Sequence, residues 1–120
     1  MKILIVDDLA EYLYSLSRAL GPEGEVVTAA SLEEAKARID TRTTVALVDV
    51  RLSEEDPGNR DGIILLGWIR EHFPGTKVIL MSAYRDYDAA VDALNLGAVG
   101  YLRKPVNIRE LKLRIADLGQ

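Results

Sequence analysis

The sequence predicts an α/β fold, a parallel sheet with helices on both faces. Three observations lead there. Short apolar runs recur at Ile3–Val6, Val26–Ala29, Val45–Val50 and Val78–Met81, with a weaker fifth at Gly100–Arg103. The first, third and fourth runs are continuously apolar, as a strand reads when both of its faces are covered. Between the runs, apolar residues fall at helical spacing. Strand and helix therefore alternate five times, the pattern of a doubly wound sheet with right-handed crossovers.

Each element has its own justification. Ile3–Val6 forms a first strand that Asp7 and Asp8 interrupt. Leu9, Leu13, Leu16 and Leu20 line one face of a first helix, which Gly21 and Pro22 stop. After the second strand, Ser31 with Glu34 three residues later is a capping-box pattern. It opens a helix with Leu32, Ala35 and Ile39 on its inner face. After the third strand, Ile63, Ile64, Leu65, Leu66, Trp68 and Ile69 read as core residues of a third helix, stopped by Pro74 and Gly75. The sole histidine, His72, reads as a solvated residue near that helix end, where positive charge suits the dipole. Asn107 is an N-cap candidate for a last helix carrying Ile108, Leu111, Ile115 and Leu118.

Composition narrows the function classes. The 120 residues hold 15 Lys and Arg against 19 Asp and Glu, a net charge of −4, and no cysteine. The length suits one domain over residues 1–120. Without cysteine there is no disulfide scaffold, thiolate metal site or cysteine nucleophile. The acidic balance argues against direct nucleic-acid binding. No apolar run approaches the roughly 20 residues of a membrane helix. Two aspartates follow the apolar start, with no small-residue cleavage site after them, so the expected location is cytoplasmic. Glycine-rich nucleotide loops are absent as well.

Polar residues interrupt the apolar runs at one recurring place. Asp7 and Asp8 end the first, Asp49 lies at the end of the third, Ser82 ends the fourth and Lys104 ends the fifth. In an open α/β sheet, ligands bind outside the carboxyl ends of the strands. Asp7 and Asp8 alone would also suit a helix N-terminus; with Asp49 and Lys104 on the same edge, a shared crevice is the better reading. Two carboxylates about 4 Å apart repel by roughly 4 kcal/mol at an effective dielectric near 20. The cluster must therefore spread apart, take up a proton or bind a cation. All-oxygen ligands favour Mg²⁺ or Mn²⁺. A carboxylate nucleophile, a divalent cation, a lysine and a hydroxyl suit formation of an aspartyl phosphate.

Taken together, the chain resembles the receiver domain of two-component response regulators. The resemblance rests on Ile3-Leu4-Ile5-Val6-Asp7-Asp8, Ala46-Leu47-Val48-Asp49, Met81-Ser82-Ala83 and Gly97-Ala98-Val99-Gly100-Tyr101-Leu102-Arg103-Lys104-Pro105. It implies a flavodoxin-like (βα)5 fold with strand order 2-1-3-4-5. It implies that Asp49 is the phosphoacceptor, and that Asp8 ligates Mg²⁺ with Asp7 assisting and the Arg51 backbone carbonyl as a third ligand. Lys104 would contact the phosphoryl group and precede a cis Pro105. Ser82 and Tyr101 would form a switch pair that reshapes the face of the fourth helix, fifth strand and fifth helix. The implied partners are a sensor histidine kinase or phosphotransfer protein, an effector domain or protein, and a second copy bound through that same face.

One segment departs from the family pattern. Arg51–Asp61 is longer than usual, polar and acidic, with Glu54, Glu55, Asp56 and Asp61 around Pro57-Gly58. It reads as solvated surface, with a lid over the acceptor as the sharper alternative. Two other functions fit the residues less well: a receiver-like module that binds partners without phosphorylation, and an aspartate-nucleophile phosphatase. The second normally carries its nucleophile after the first strand and needs a cap.

Overall fold

The computed structural model describes residues 1–53, 55–83 and 87–118, with backbone alone at residues 87 and 89. Glu54, one of the loop acids named above, lies outside the described residues. Five strands form one parallel sheet: β1 (Lys2–Val6), β2 (Glu25–Ala29), β3 (Thr43–Asp49), β4 (Lys77–Ser82) and β5 (Gly100–Arg103). Their order is β2-β1-β3-β4-β5, as the resemblance implies. The helices are α1 (Ala10–Leu20), α2 (Leu32–Arg38), α3 (Asp61–His72), α4 (Tyr87–Asn95) and α5 (Ile108–Leu118). A 3₁₀ turn over Gly21–Glu23 follows α1 at Pro22.

Side chains alternate across each strand, and two core layers result. One face carries Ile3, Ile5, Val45, Leu47, Ile79, Met81 and Leu102 against Leu16 and Leu20 of α1 and Leu111 and Ile115 of α5. The other carries Leu4, Val6, Ala46, Val48, Val78 and Leu80 against α2, Leu65, Leu66 and Ile69 of α3, and Ala93 of α4. Covering on both faces is why the central runs could be apolar without alternation.

The caps behave as their chemistry predicts. Ser31 Oγ accepts from Glu34 N at 3.1 Å, and Asn107 Oδ1 accepts from Glu110 N at 2.9 Å. Two residues past the end of α4, Gly97 has a φ of 96°, open to glycine and strained for other residues. One expectation needs correction. Ile64 is not core: it is 56 % exposed, because a helix apolar on all sides must still turn one side to water. The third strand ends at Asp49, as expected, and Val50 N still donates to Met81 O at 2.9 Å.

Helix α3 starts hard against the end of β3. Gly62 N donates to Val50 O at 2.9 Å. A Cβ on Gly62 would stand 2.0 Å from Asp49 O and 2.7 Å from Val50 Cα. Both are backbone atoms, which cannot turn aside. Gly62→Ala should therefore lower stability by about 1–3 kcal/mol in urea unfolding; an unchanged midpoint would mean that α3 slides freely along the sheet end.

Candidate functional site

The alternation that builds one core layer also builds the site. Residues 3, 5 and 7 of the first strand and its extension share a face, as do 45, 47 and 49, and 102 and 104. Asp7, Asp49 and Lys104 thus continue the α1 and α5 face past the carboxyl ends of the strands. The ladder fixes their backbones. Asp7 N donates to Ala29 O at 3.1 Å, and Lys104 N donates to Ser82 O at 2.8 Å. Asp49 lies beside Met81 in the sheet register.

The side chains converge. Lys104 Nζ donates to Asp7 Oδ2 at 2.6 Å and to Asp49 Oδ2 at 3.0 Å. The lysine side chain is 3 % exposed, that of Asp7 0 % and that of Asp49 6 %. Asp8 joins them: one carboxylate oxygen from each of Asp7, Asp8 and Asp49 lies within 4.8 Å of the others. Asp7 Oδ1 also accepts from Leu9 N at 2.9 Å, a local turn that opens α1. The resemblance casts Asp7 as a helper to the metal; here Asp7 is also the closer partner of Lys104.

The charges do not balance. Burial pushes the Asp49 carboxyl up to about 7, against the pull of Lys104 and with a further push from Asp7 and Asp8. Burial would depress the Lys104 ammonium, yet its hydrogen bond to Asp7 and the charges of Asp49 and Asp7 leave it above the ordinary lysine value. Lysine thus stays charged between two acids, and Asp49 is the acid whose charged form its surroundings disfavour. The donor set fits a hard divalent cation: three clustered carboxylates and no sulfur or nitrogen ligand.

The remaining predicted residues sit on the neighbouring strand ends and the loop after β3. Ser82 is buried at the end of β4. Tyr101 is half-buried beside Leu80, two residues before Ser82, on the α2–α4 face of the sheet. Arg51 follows two residues after Asp49, and the Lys104–Pro105 peptide is cis. His72 is exposed at the end of α3, stacked on Trp68 with ring centroids 4.7 Å apart, and takes no part in the site.

The long loop after β3 is folded on itself. Asn59 Oδ1 accepts from both Leu52 N and Asp61 N at 3.0 Å, closing the segment at its base. Asp56 Oδ1 accepts from Gly58 N at 3.0 Å inside it. Arg60 Nη1 donates to Asp92 Oδ2 of α4 at 2.8 Å. Neither Asn59 nor Arg60 was singled out in the sequence; the Pro57-Gly58-Asn59 run is the turn signal that bears on the first.

This fold, with three acids and a lysine gathered at the carboxyl edge of its sheet, is a doubly wound α/β module, and comparison with known proteins gives its family. The response regulator receiver domain family matches residues 3–116, and the chain belongs to it. The chain is 34 % identical over 117 residues to the alginate biosynthesis transcriptional regulatory protein AlgB of Pseudomonas aeruginosa, covering 96 % of this chain and 25 % of that protein. A CheY-like receiver domain protein of Methanospirillum hungatei superposes with a TM-score of 0.83 at 35 % identity, over 98 % of this chain and 95 % of the other. The beryllofluoride-activated NtrC4 receiver domain dimer gives 0.84 at 31 % identity, over 98 % and 94 %. The chain spans about a quarter of the length of the first curated regulators it matches. Among the described residues, no helix is long and apolar enough to cross a membrane.

Removing the lysine leaves buried carboxylates facing one another. Lys104→Met should cost about 3 kcal/mol or more in urea unfolding without added metal. A loss below about 1 kcal/mol would mean that water already screens the cluster.

Proposed function

We propose that this receiver accepts a phosphoryl group on Asp49 from the phosphohistidine of a sensor kinase or phosphotransfer protein. The observation that carries the reading is the position of Lys104, bonded to both Asp7 and Asp49 within a cluster of three acids. An Asp49 carboxylate oxygen attacks phosphorus, the new P–O bond forms as the P–N bond breaks, and the imidazole departs with the electron pair. Lys104 neutralises charge on the phosphoryl oxygens where it develops. Asp8, Asp49 and the Arg51 carbonyl would hold Mg²⁺, with Asp7 alongside, and the ion would supply further positive charge to those oxygens.

Hydrolysis of the aspartyl phosphate returns the domain to its resting state, so it acts as a timed switch and not as a turnover enzyme on outside substrates. Ser82 and Tyr101 report the change to the face of α4, β5 and α5. Support for that face as the output is its apolar surface: Leu94, Leu96 and Val99 are exposed large hydrophobics. A second copy is one partner such a face suits, and the similar beryllofluoride-activated NtrC4 receiver domain is itself a dimer. We also read residues 1–120 as a single domain working in the cytoplasm, with any effector on another domain or protein.

Asp49→Asn should abolish labelling by acetyl phosphate in the presence of Mg²⁺, read by intact-protein mass; label that survives places the acceptor elsewhere. Asp8→Ala should weaken Mg²⁺ binding about tenfold or more in calorimetric titration. Unchanged affinity would move the ion away from this cluster.

A further inference from the structure

Two carboxylates are not the only groups around the Lys104 ammonium. Its nitrogen also lies 4.0 Å from the centroid of the Tyr12 ring. Tyr12 stands in the first turn of α1, four residues after Asp8, and its ring packs half-buried against the core layer of that face. Two other cations face aromatic rings, Arg18 over Tyr14 at 5.7 Å and Lys36 over Trp68 at 5.3 Å. Those contacts are longer, and both cations are exposed. At Lys104 the side chain is 3 % exposed, so water competes little with the negative face of the ring.

A lysine ammonium is a point charge on a flexible four-carbon stem. Two acceptors on one side leave it free to swing toward water on the other. The Tyr12 ring, with the ammonium over its face at 4.0 Å, adds a third attraction that opposes such a swing. We propose that Tyr12 is a positioning residue of the acceptor site: its ring face holds the Lys104 ammonium between Asp7 and Asp49 and so sets the rate at which Asp49 is phosphorylated. The inference rests on Asp49 being the phosphoacceptor. Volume alone does not do this work, because an aliphatic side chain would fill the same space between α1 and the sheet without attracting a cation.

The test compares the full chain with Y12F, which keeps the ring, and Y12L, which keeps only bulk. Acetyl phosphate with Mg²⁺ labels each protein. Y12L should label about 3- to 10-fold more slowly than the native chain, and Y12F should recover the native rate to within about twofold. In parallel, carbon–proton spectra follow the Lys104 ε-methylene, which the ring current displaces. The displacement should persist in Y12F and vanish in Y12L. Should Y12L fail to fold, Y12M supplies bulk without a ring. A ringless variant that labels at the native rate overturns the proposal. Equal slowing in Y12F and Y12L also overturns it, since the phenol hydroxyl would then be the active feature. If the native chain takes no label, the phosphoacceptor reading has failed; an ε-methylene displacement surviving in Y12L would then separately overturn the placement of Tyr12 over Lys104.

Discussion

One ammonium between two buried carboxylates holds the carboxyl edge of this sheet together. Lys104 reaches from the end of β5 to Asp7 beyond β1 and to Asp49 at the end of β3, 97 and 55 residues away in sequence. Neither acid would tolerate burial alone, and the two share a single positive charge with Asp8 close by. The balance is therefore incomplete by design of the residues present. Burial weighs most on Asp49, with a further push from Asp7 and Asp8, so its carboxyl is pushed up although a lysine stands 3.0 Å away. Added positive charge beside Asp49 would favour its charged form, which is why the three clustered carboxylates fit a hard divalent cation.

The same alternation separates the charge cluster from Tyr101. Asp7, Asp49 and Lys104 extend the α1 and α5 layer, whereas Tyr101 belongs to the opposite layer with α2, α3 and α4. Ser82 bridges the two: its carbonyl accepts the Lys104 amide, while its side chain alternates with Met81 toward the other face. A movement at Ser82 is thus backbone-coupled to the lysine and sterically adjacent to the strand carrying Tyr101. No long chain of contacts is needed to link the two faces, because β4 itself joins them.

Much of this was legible from the residues, for a definable reason. Parallel strands covered on both faces must be apolar throughout, so the strands appear as uninterrupted runs and any charge at their ends stands out. That contrast picked out Asp7, Asp8, Asp49, Ser82 and Lys104. The partition of roles among the acids was less legible: three carboxylates look alike in sequence, and only packing makes Asp7 the nearer partner of Lys104. Tyr12 looked like any aromatic on an amphipathic helix, since its relation to Lys104 spans the whole chain. Ile64 was misread as core because α3 has no polar stripe to mark its outer side.

The long segment after β3 is the clearest departure from the family pattern, and its structure explains how the site tolerates it. Lengthening a loop costs little in closure entropy, about 0.6 kcal/mol per doubling. What matters is whether its two ends keep their places. Asn59 bonds the amides of Leu52 and Asp61 with a single oxygen, so the extra residues are tied off outside that point. Beyond it, Gly62 closes directly on Val50, beside Asp49. The described part of the segment is therefore an appendage with a closed base, and the end of β3 at Asp49 is insulated from its length. The segment reaches outward through Arg60 to Asp92 on α4, an ion pair with both side chains well exposed. Such pairs contribute about 0–1 kcal/mol, enough to bias the position of α4 and too little to lock it.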